Sequence, residues 1–392
     1  MSTAAQAGLP AQVVEALPYV RAIAPYQAGK PIEETAREHG LRPETIVKLA
    51  SNENPLGMPA SARAAIEAAL PELGRYPDSN GFELKAALSR KLGVPADWIT
   101  LGNGSNDILE AAAAVMLAPG RSCVYAQHSF AVYPLATQAR GARSIVVAAR
   151  DYGHDLDAML AAIEADTRLV FVANPNNPTG TFVGADAMAE FLARVPRGAD
   201  RMAEFLARVP RHVVVVLDEA YNEYLPPELR HPSVDWVRRF PNLLLSRSFS
   251  KAYGLAGLRI GYGVAQPELT DLLNRVRQPF NCNSLAQAAA VAALADQAFV
   301  ERSVEVNRRG MAQVTAAFDT LGLRYLPSFG NFVLVQVGDG AAVYQGLLRR
   351  GVIVRPVANY GLPQWLRVTI GLPEENDRFI TALRDVLQGA GA

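Results

Sequence analysis

Short apolar runs recur from residue 121 onward, separated by stretches in which apolar residues repeat at helical spacing. Residues 122–126, 144–148, 168–173, 212–217 and 242–246 are predicted strands, and helical patterns separate most of them. Such an alternation predicts an α/β domain built on a largely parallel sheet. Ahead of it, residues 32–39 read as a helix stopped by Gly40, 61–70 as an alanine-rich helix, and 82–92 as a helix closed by Gly93. Residues 99–109 read as a strand, a glycine-rich turn and a helix start. After an alanine-rich helix over 285–296, helices over 299–322, 342–350 and 374–387 mix with strands over 331–337, 352–356 and 365–370. That order predicts a smaller α+β unit. The chain therefore divides into an N-terminal arm, 1–47, a large domain, 48–285, and a small C-terminal domain, 286–392.

Parallel sheets bind ligands beyond the carboxyl ends of their strands. Three polar clusters fall at such ends: Asn174-Pro-Asn-Asn-Pro-Thr-Gly180, Asp218-Glu-Ala-Tyr221 and Ser248-Phe-Ser-Lys251. The topology predicts that Asn177, Asp218, Tyr221 and Lys251 share one rim. A lysine just past a buried strand, between serines and small residues, is placed to lose solvent. Desolvation lowers the pKa of an amine and makes it a nucleophile for carbonyls. Arg259, eight residues on, can return to the same place. Ser248, Ser250, Lys251 and Arg259 together suit a phosphate beside an aldehyde, a description of pyridoxal phosphate. Gly102-Asn-Gly-Ser-Asn106 opens a helix, whose free N–H groups and dipole favour phosphate, and it lacks the third glycine of a dinucleotide fingerprint. Each feature also has a plainer reading. Lys251 is then a surface lysine, Ser105 or Asn106 caps only its own helix, Asp218 is a cap, and Tyr221 and Phe130 are core aromatics.

A tandem copy interrupts the pattern. Residues 184–197 and 198–211 are the same 14-residue stretch apart from Ala187 against Arg201. Each copy carries Met, Phe, Leu and Val on one helical face. A crossover between parallel strands needs one covering helix, and Pro196 with Gly198 prevents a single long one. The expectation is that one copy docks on the sheet while the other loops out or packs outside, leaving the site intact.

Composition narrows the partners. Lys+Arg and Asp+Glu number 38 each, for a formal net charge of zero, so neither nucleic acid nor an anionic membrane is expected as partner. No apolar run reaches the length of about 18 residues that a spanning helix needs. The start, Met1-Ser-Thr-Ala-Ala-Gln, lacks the basic-then-apolar order of a signal peptide. Cys123 and Cys282 make neither a disulfide framework nor a zinc motif, and no metal is expected. These features suggest a cytoplasmic enzyme.

Taken together, the motifs resemble the fold-type I pyridoxal-phosphate aminotransferases, and most closely the histidinol-phosphate aminotransferases. The resemblance runs from about residue 25 to residue 387. It rests on residues 48–57 with Asn52-Glu-Asn-Pro55, on Arg75-Tyr-Pro77, on Gly102 to Asn106, on the three strand-end clusters with Arg259, and on Arg367-Val-Thr-Ile-Gly371. It implies an α/β fold, with a large, mostly parallel seven-stranded sheet sandwiched by helices and a smaller α+β domain. It implies that Lys251 forms the Schiff base with pyridoxal 5′-phosphate and shuttles a proton, and that Asp218 pairs with the pyridinium nitrogen. Tyr221 and Asn177 then bond the ring hydroxyl. Gly104, Ser105, Asn106, Ser248, Ser250 and Arg259 hold the cofactor phosphate, and Phe130 stacks on the ring. Tyr76 reaches the phosphate of a second subunit, which implies a homodimer with shared active sites. Tyr26, Asn52, Arg355 and Arg367 surround the substrate, a small-molecule amine or 2-oxo acid. The implied reaction is histidinol phosphate plus 2-oxoglutarate to imidazole-acetol phosphate plus glutamate, in histidine biosynthesis. An aromatic amino-acid aminotransferase, a threonine-phosphate-type decarboxylase and a non-catalytic protein of the same fold remain as alternatives.

Overall fold

The protein is described by a computed structural model that covers residues 15–26, 29–183, 208–209 and 212–389. Strand β1 (Val47–Lys48) belongs to a small separate sheet. The large sheet holds β2 (Ile99–Gly102), β3 (Ser122–Ala126), β4 (Arg143–Val147), β5 (Thr167–Ala173), β6 (Val214–Asp218), β7 (Leu243–Ser248) and β8 (Gly261–Val264). Their order is β2-β8-β7-β6-β5-β3-β4; β8 is antiparallel to both β2 and β7, and the remaining neighbours pair in parallel. The α/β architecture with a mostly parallel sheet is thus the one the strand pattern predicts.

The predicted strand over 122–126 coincides with β3, and the next four lie within two residues of β4 to β7. Strand β8 escaped the pattern because Gly261-Tyr-Gly-Val264 has too little apolar side chain to read as a strand. Its glycine has a packing cause: a Cβ on Gly261 would lie 2.5 Å from the Ser105 amide nitrogen, so β8 can lie against the start of the helix Ser105–Met116 only without one.

Both faces of the sheet are covered, which is why the central strands read as continuous apolar runs. Alternate residues enter two cores. Val215, Leu217, Leu243 and Leu245 face one, with the helices Phe82–Leu92 and Ser284–Ala295. Val214, Val216, Leu244, Phe171 and Tyr133 face the other, with the helices Ser105–Met116, Val132–Ala139 and Pro267–Val276. Asp218 and Ser248 continue the second alternation, whereas Glu219 and Arg247 continue the first.

The C-terminal part has its own core around Phe318, Val333, Leu366 and Phe379. Here β9 (Tyr325–Leu326), β10 (Phe332–Gln336), β12 (Arg355–Pro356) and β13 (Trp365–Thr369) form an antiparallel sheet, and the helices Gln297–Thr320, Gly340–Arg349 and Pro373–Gly389 accompany it. The single strand predicted over 352–356 is two. β11 (Val352–Ile353) pairs in parallel with β1, and the chain then changes sheets so that Arg355 pairs with Arg367 on β13. The helix Ile32–His39 and its stop, Gly40 at φ 64°, lie as predicted, and Ala36 packs on Leu348 and Ile353. The duplicated stretch lies outside the described residues apart from Arg208, which donates to Asp157 at 2.8 Å, and the buried Val209.

Candidate active site

The carboxyl ends of β5, β6 and β7 open into a cavity of about 300 Å³. Its wall contains Asp218 and Ser248 from the ends of β6 and β7, Asn177, Tyr221, Ser250, Lys251 and Arg259 from the segments beyond the strand ends of the large sheet, and Arg355 and Arg367 from the C-terminal sheet. Ser105, Asn106, Phe130, Tyr26 and Asn52 line it as well. Strand topology therefore brings together residues that lie more than a hundred positions apart.

Lys251 donates from Nζ to the Ser51 carbonyl at 3.2 Å and lies over the Tyr221 ring, 5.7 Å from its centroid. Burial pulls its pKa down to about 8, helped by the positive charge of Arg367. About a tenth of the amine is then unprotonated at pH 7, and about half at pH 8, far more than for an ordinary lysine, and the unprotonated form is the carbonyl nucleophile. The Tyr221 hydroxyl accepts from Asn52 Nδ2 at 2.9 Å, and burial pushes the phenol up to about 12. Tyr221 thus keeps its own proton to donate into the cavity. Asn52 is held in turn through Thr369, whose hydroxyl accepts from the Asn52 amide at 2.9 Å.

Asp218 is 5% exposed, and burial pushes its carboxyl up to about 6. Its Oδ2 accepts the Tyr133 hydroxyl at 3.0 Å, while its buried Oδ1 has no partner among the described residues. A half-satisfied buried carboxylate at the floor of a cavity asks for a cationic N–H donor. The nitrogen of a protonated pyridine ring is such a donor.

At the other end, the helix Ser105–Met116 points its N-terminus at the cavity. Its cap is Gly104, with no side-chain capping bond, so Ser105 and Asn106 do not serve as caps of their own helix. Gly104 itself does not line the cavity. A Cβ there would lie 2.3 Å from Arg259 Nη2, so this glycine lets the guanidinium lie against the helix start. Arg259 Nη1 donates to Ser250 Oγ at 3.3 Å, and the Ser248 hydroxyl accepts the Ser250 amide at 3.0 Å. First-turn amides, two hydroxyls and a guanidinium form a cradle suited to a phosphate. The cavity thus offers an amine for the aldehyde, an acceptor for the ring nitrogen and a site for the phosphate, and its residues fit pyridoxal phosphate.

The mouth carries the substrate candidates. Arg367 donates from Nη1 to Asn177 Oδ1 at 2.6 Å and from Nη2 to the Ala50 carbonyl at 2.7 Å, and its buried Nε has no partner among the described residues. Arg355 lies 5.6 Å from the centroid of the Tyr26 ring. Tyr360 lines the same wall and had no signal in the sequence, since its loop follows a strand that changes sheets. Tyr133 was also missed. It lies in the same stretch as Phe130, but nothing local shows that its hydroxyl turns inward to Asp218. Tyr76 lies apart from this cavity, 82% exposed and stacked on Phe280 at 4.7 Å. Among the described residues no helix is long and apolar enough to cross a membrane.

Comparison with known proteins agrees with this geometry. The aminotransferase class I and II family matches residues 44–383. The chain is 70% identical to histidinol-phosphate aminotransferase 1 of Cupriavidus pinatubonensis over 94% of this chain and 96% of that one. It is 67% identical to histidinol-phosphate aminotransferase 2 of Ralstonia nicotianae, over 95% and 97%. Among solved structures, the histidinol-phosphate aminotransferase of Sinorhizobium meliloti in complex with pyridoxal-5′-phosphate superposes with a TM-score of 0.83 at 29% identity, covering 95% of this chain and 97% of that one.

Proposed function

The chain belongs to the class I and II aminotransferases, and from that premise we propose that it transfers the amino group of histidinol phosphate to 2-oxoglutarate, yielding imidazole-acetol phosphate and glutamate. It is a pyridoxal-phosphate-dependent transaminase acting on small amines and 2-oxo acids. The observation that carries the reading is the shared wall of Lys251, the half-satisfied Asp218 and the two arginines Arg355 and Arg367. The names of both relatives favour histidinol phosphate over the aromatic, decarboxylase and non-catalytic alternatives.

Bound pyridoxal 5′-phosphate supplies an aldehyde that takes up the substrate amine and a ring that draws electrons from the substrate Cα. The protein's own groups do the rest. Arg259, Ser248, Ser250 and the amides of Ser105 and Asn106 hold the cofactor phosphate. The Asp218 carboxylate keeps a positive charge at the ring nitrogen, and Tyr221 and Asn177 orient the ring from the side of its hydroxyl. Phe130 packs beside the ring. Lys251, as a free amine, would carry the proton between the substrate Cα and the cofactor's aldehyde carbon, C4′. Arg367 and Arg355, with Tyr26 and Asn52, receive the substrate phosphate in one half-reaction and a 2-oxoglutarate carboxylate in the other.

The exposed Tyr76–Phe280 stack supports a homodimer in which Tyr76 reaches the partner's cofactor phosphate. A biosynthetic reaction of this kind supports a cytoplasmic location.

The test is the visible spectrum of the purified protein. We expect a cofactor band that histidinol phosphate bleaches at low concentration, with glutamate formed on adding 2-oxoglutarate. A band bleached only by phenylalanine moves the assignment to an aromatic aminotransferase. Lys251→Ala is expected to abolish turnover; retained turnover after removal of unbound cofactor defeats the role of Lys251.

A further inference from the structure

We infer that Tyr133 is a positioning residue for the cofactor: its hydroxyl engages one carboxylate oxygen of Asp218 and so aims the other at the ring nitrogen. The inference rests on the reading of Asp218 as the partner of that nitrogen. Tyr133 is fully buried on the helix Val132–Ala139, and its ring stacks on Phe171 at 4.5 Å with planes 3° apart. Phe130, on the cavity wall, meets the same ring edge-on at 5.9 Å. These two contacts leave the hydroxyl one direction, and there it donates to Asp218 Oδ2 at 3.0 Å.

Charge bookkeeping supports the assignment. A tyrosine buried beside a carboxylate has its pKa driven up, both by burial and by the negative charge of Asp218, so it stays a donor throughout the working range. A donor at Oδ2 favours the ionised form of Asp218 against the burial that opposes it. It also removes Oδ2 as a competitor for the ring N–H and leaves the unpartnered Oδ1 as the free acceptor. Around this pair the Ala220 backbone N–H also favours ionised Asp218, the charged or titratable neighbours of Asp218 include Glu219, Lys251 and Tyr221, and the buried Cys123 lies near Tyr133. Lys251 favours the ionisation of Asp218 and Glu219 opposes it.

The experiment compares Tyr133→Phe with Asp218→Asn and the unaltered protein. Phenylalanine keeps the ring and its stack on Phe171, so a purely packing role predicts no change. Two quantities are read. One is the dissociation constant of pyridoxal phosphate. The other is the pH at which the protonated-carboxyl infrared band of Asp218 appears in the apoprotein, identified as the band missing in Asp218→Asn. Removing a hydrogen bond to a charged group predicts that Tyr133→Phe weakens cofactor binding about tenfold or more, and that its band persists to higher pH by roughly one pH unit. Asp218→Asn is expected to weaken binding further still. Unchanged values in Tyr133→Phe, with cofactor lost in Asp218→Asn, overturn the inference and leave the role of Asp218 standing. A shifted band in Tyr133→Phe together with undiminished cofactor affinity in Asp218→Asn overturns the role of Asp218 and the inference with it.

Discussion

Adding a single methyl group at Gly104 probes how the phosphate cradle is built. Gly104 has φ 84° and ψ 167°, a backbone region open essentially to glycine alone. A side chain there costs about 1–3 kcal/mol of backbone strain. The new Cβ of Gly104→Ala would also stand 2.3 Å from Arg259 Nη2 and 3.0 Å from its Cζ, so the guanidinium has to leave. If Arg259 holds the cofactor phosphate by a charge-assisted hydrogen bond, losing it weakens cofactor binding by about 1.5–3 kcal/mol, or roughly 10- to 150-fold. The assay is a cofactor titration of the apoprotein, with denaturant unfolding run alongside, for Gly104→Ala, Arg259→Ala and the double variant. We expect Arg259→Ala alone to weaken cofactor retention more than it alters substrate choice. We also expect the double variant to bind cofactor about as poorly as Arg259→Ala, because the methyl acts through the arginine. Its unfolding midpoint should still carry the backbone cost. Cofactor losses that add fully in the double variant would refute the reasoning, since Gly104 would then act on the phosphate without Arg259.

Three other outcomes are expected. The rate at which apoprotein takes up pyridoxal phosphate should rise with pH and level off above about 8, because only the unprotonated Lys251 attacks the aldehyde and its pKa is lowered to that value; a rate flat from pH 6 to roughly 9 speaks against Lys251 as the nucleophile. Glu219→Ala removes the carboxylate that accepts from Arg247 Nε at 2.9 Å with side chains 1% and 11% exposed, and leaves the buried cation without its hydrogen-bonded counter-ion although the charge of Glu223 stays nearby; we expect about 3–5 kcal/mol of lost stability in denaturant unfolding, and a loss below about 1 kcal/mol contradicts it. Deleting residues 198–211, the second of the two near-identical 14-residue copies, should leave cofactor affinity and transamination unchanged; loss of bound cofactor in the shortened chain shows that both copies are needed.

The Glu219–Arg247 pair shows how local pattern and tertiary structure divide the information. Strand periodicity places Glu219 next to Asp218 and Arg247 next to Ser248, each on the opposite face from its neighbour. That much follows from alternation. That the two meet, and that Ser233 joins them by donating to Glu219 at 3.0 Å, depends on the parallel pairing of β6 with β7.

Much was legible in the chain itself, because it depends on near neighbours. Apolar runs with helical stretches between them specify a parallel sheet buried on both faces, and polar residues at the run ends mark the rim where Asn177, Asp218, Tyr221 and Lys251 line one cavity. Gly40 and Gly93 stop their helices by adopting left-handed backbone, a property of the residue itself. The tertiary structure alone decided where side chains aim. Tyr133 reaches Asp218 across 85 residues, and Arg367 reaches Asn177 across 190, linking two sheets that share no local pattern. Strand β8 stayed hidden because its glycines are chosen by the helix packed above them rather than by strand propensity. Sequence periodicity tells which face a residue occupies; only the packed fold sets the rotamer and the partner on that face.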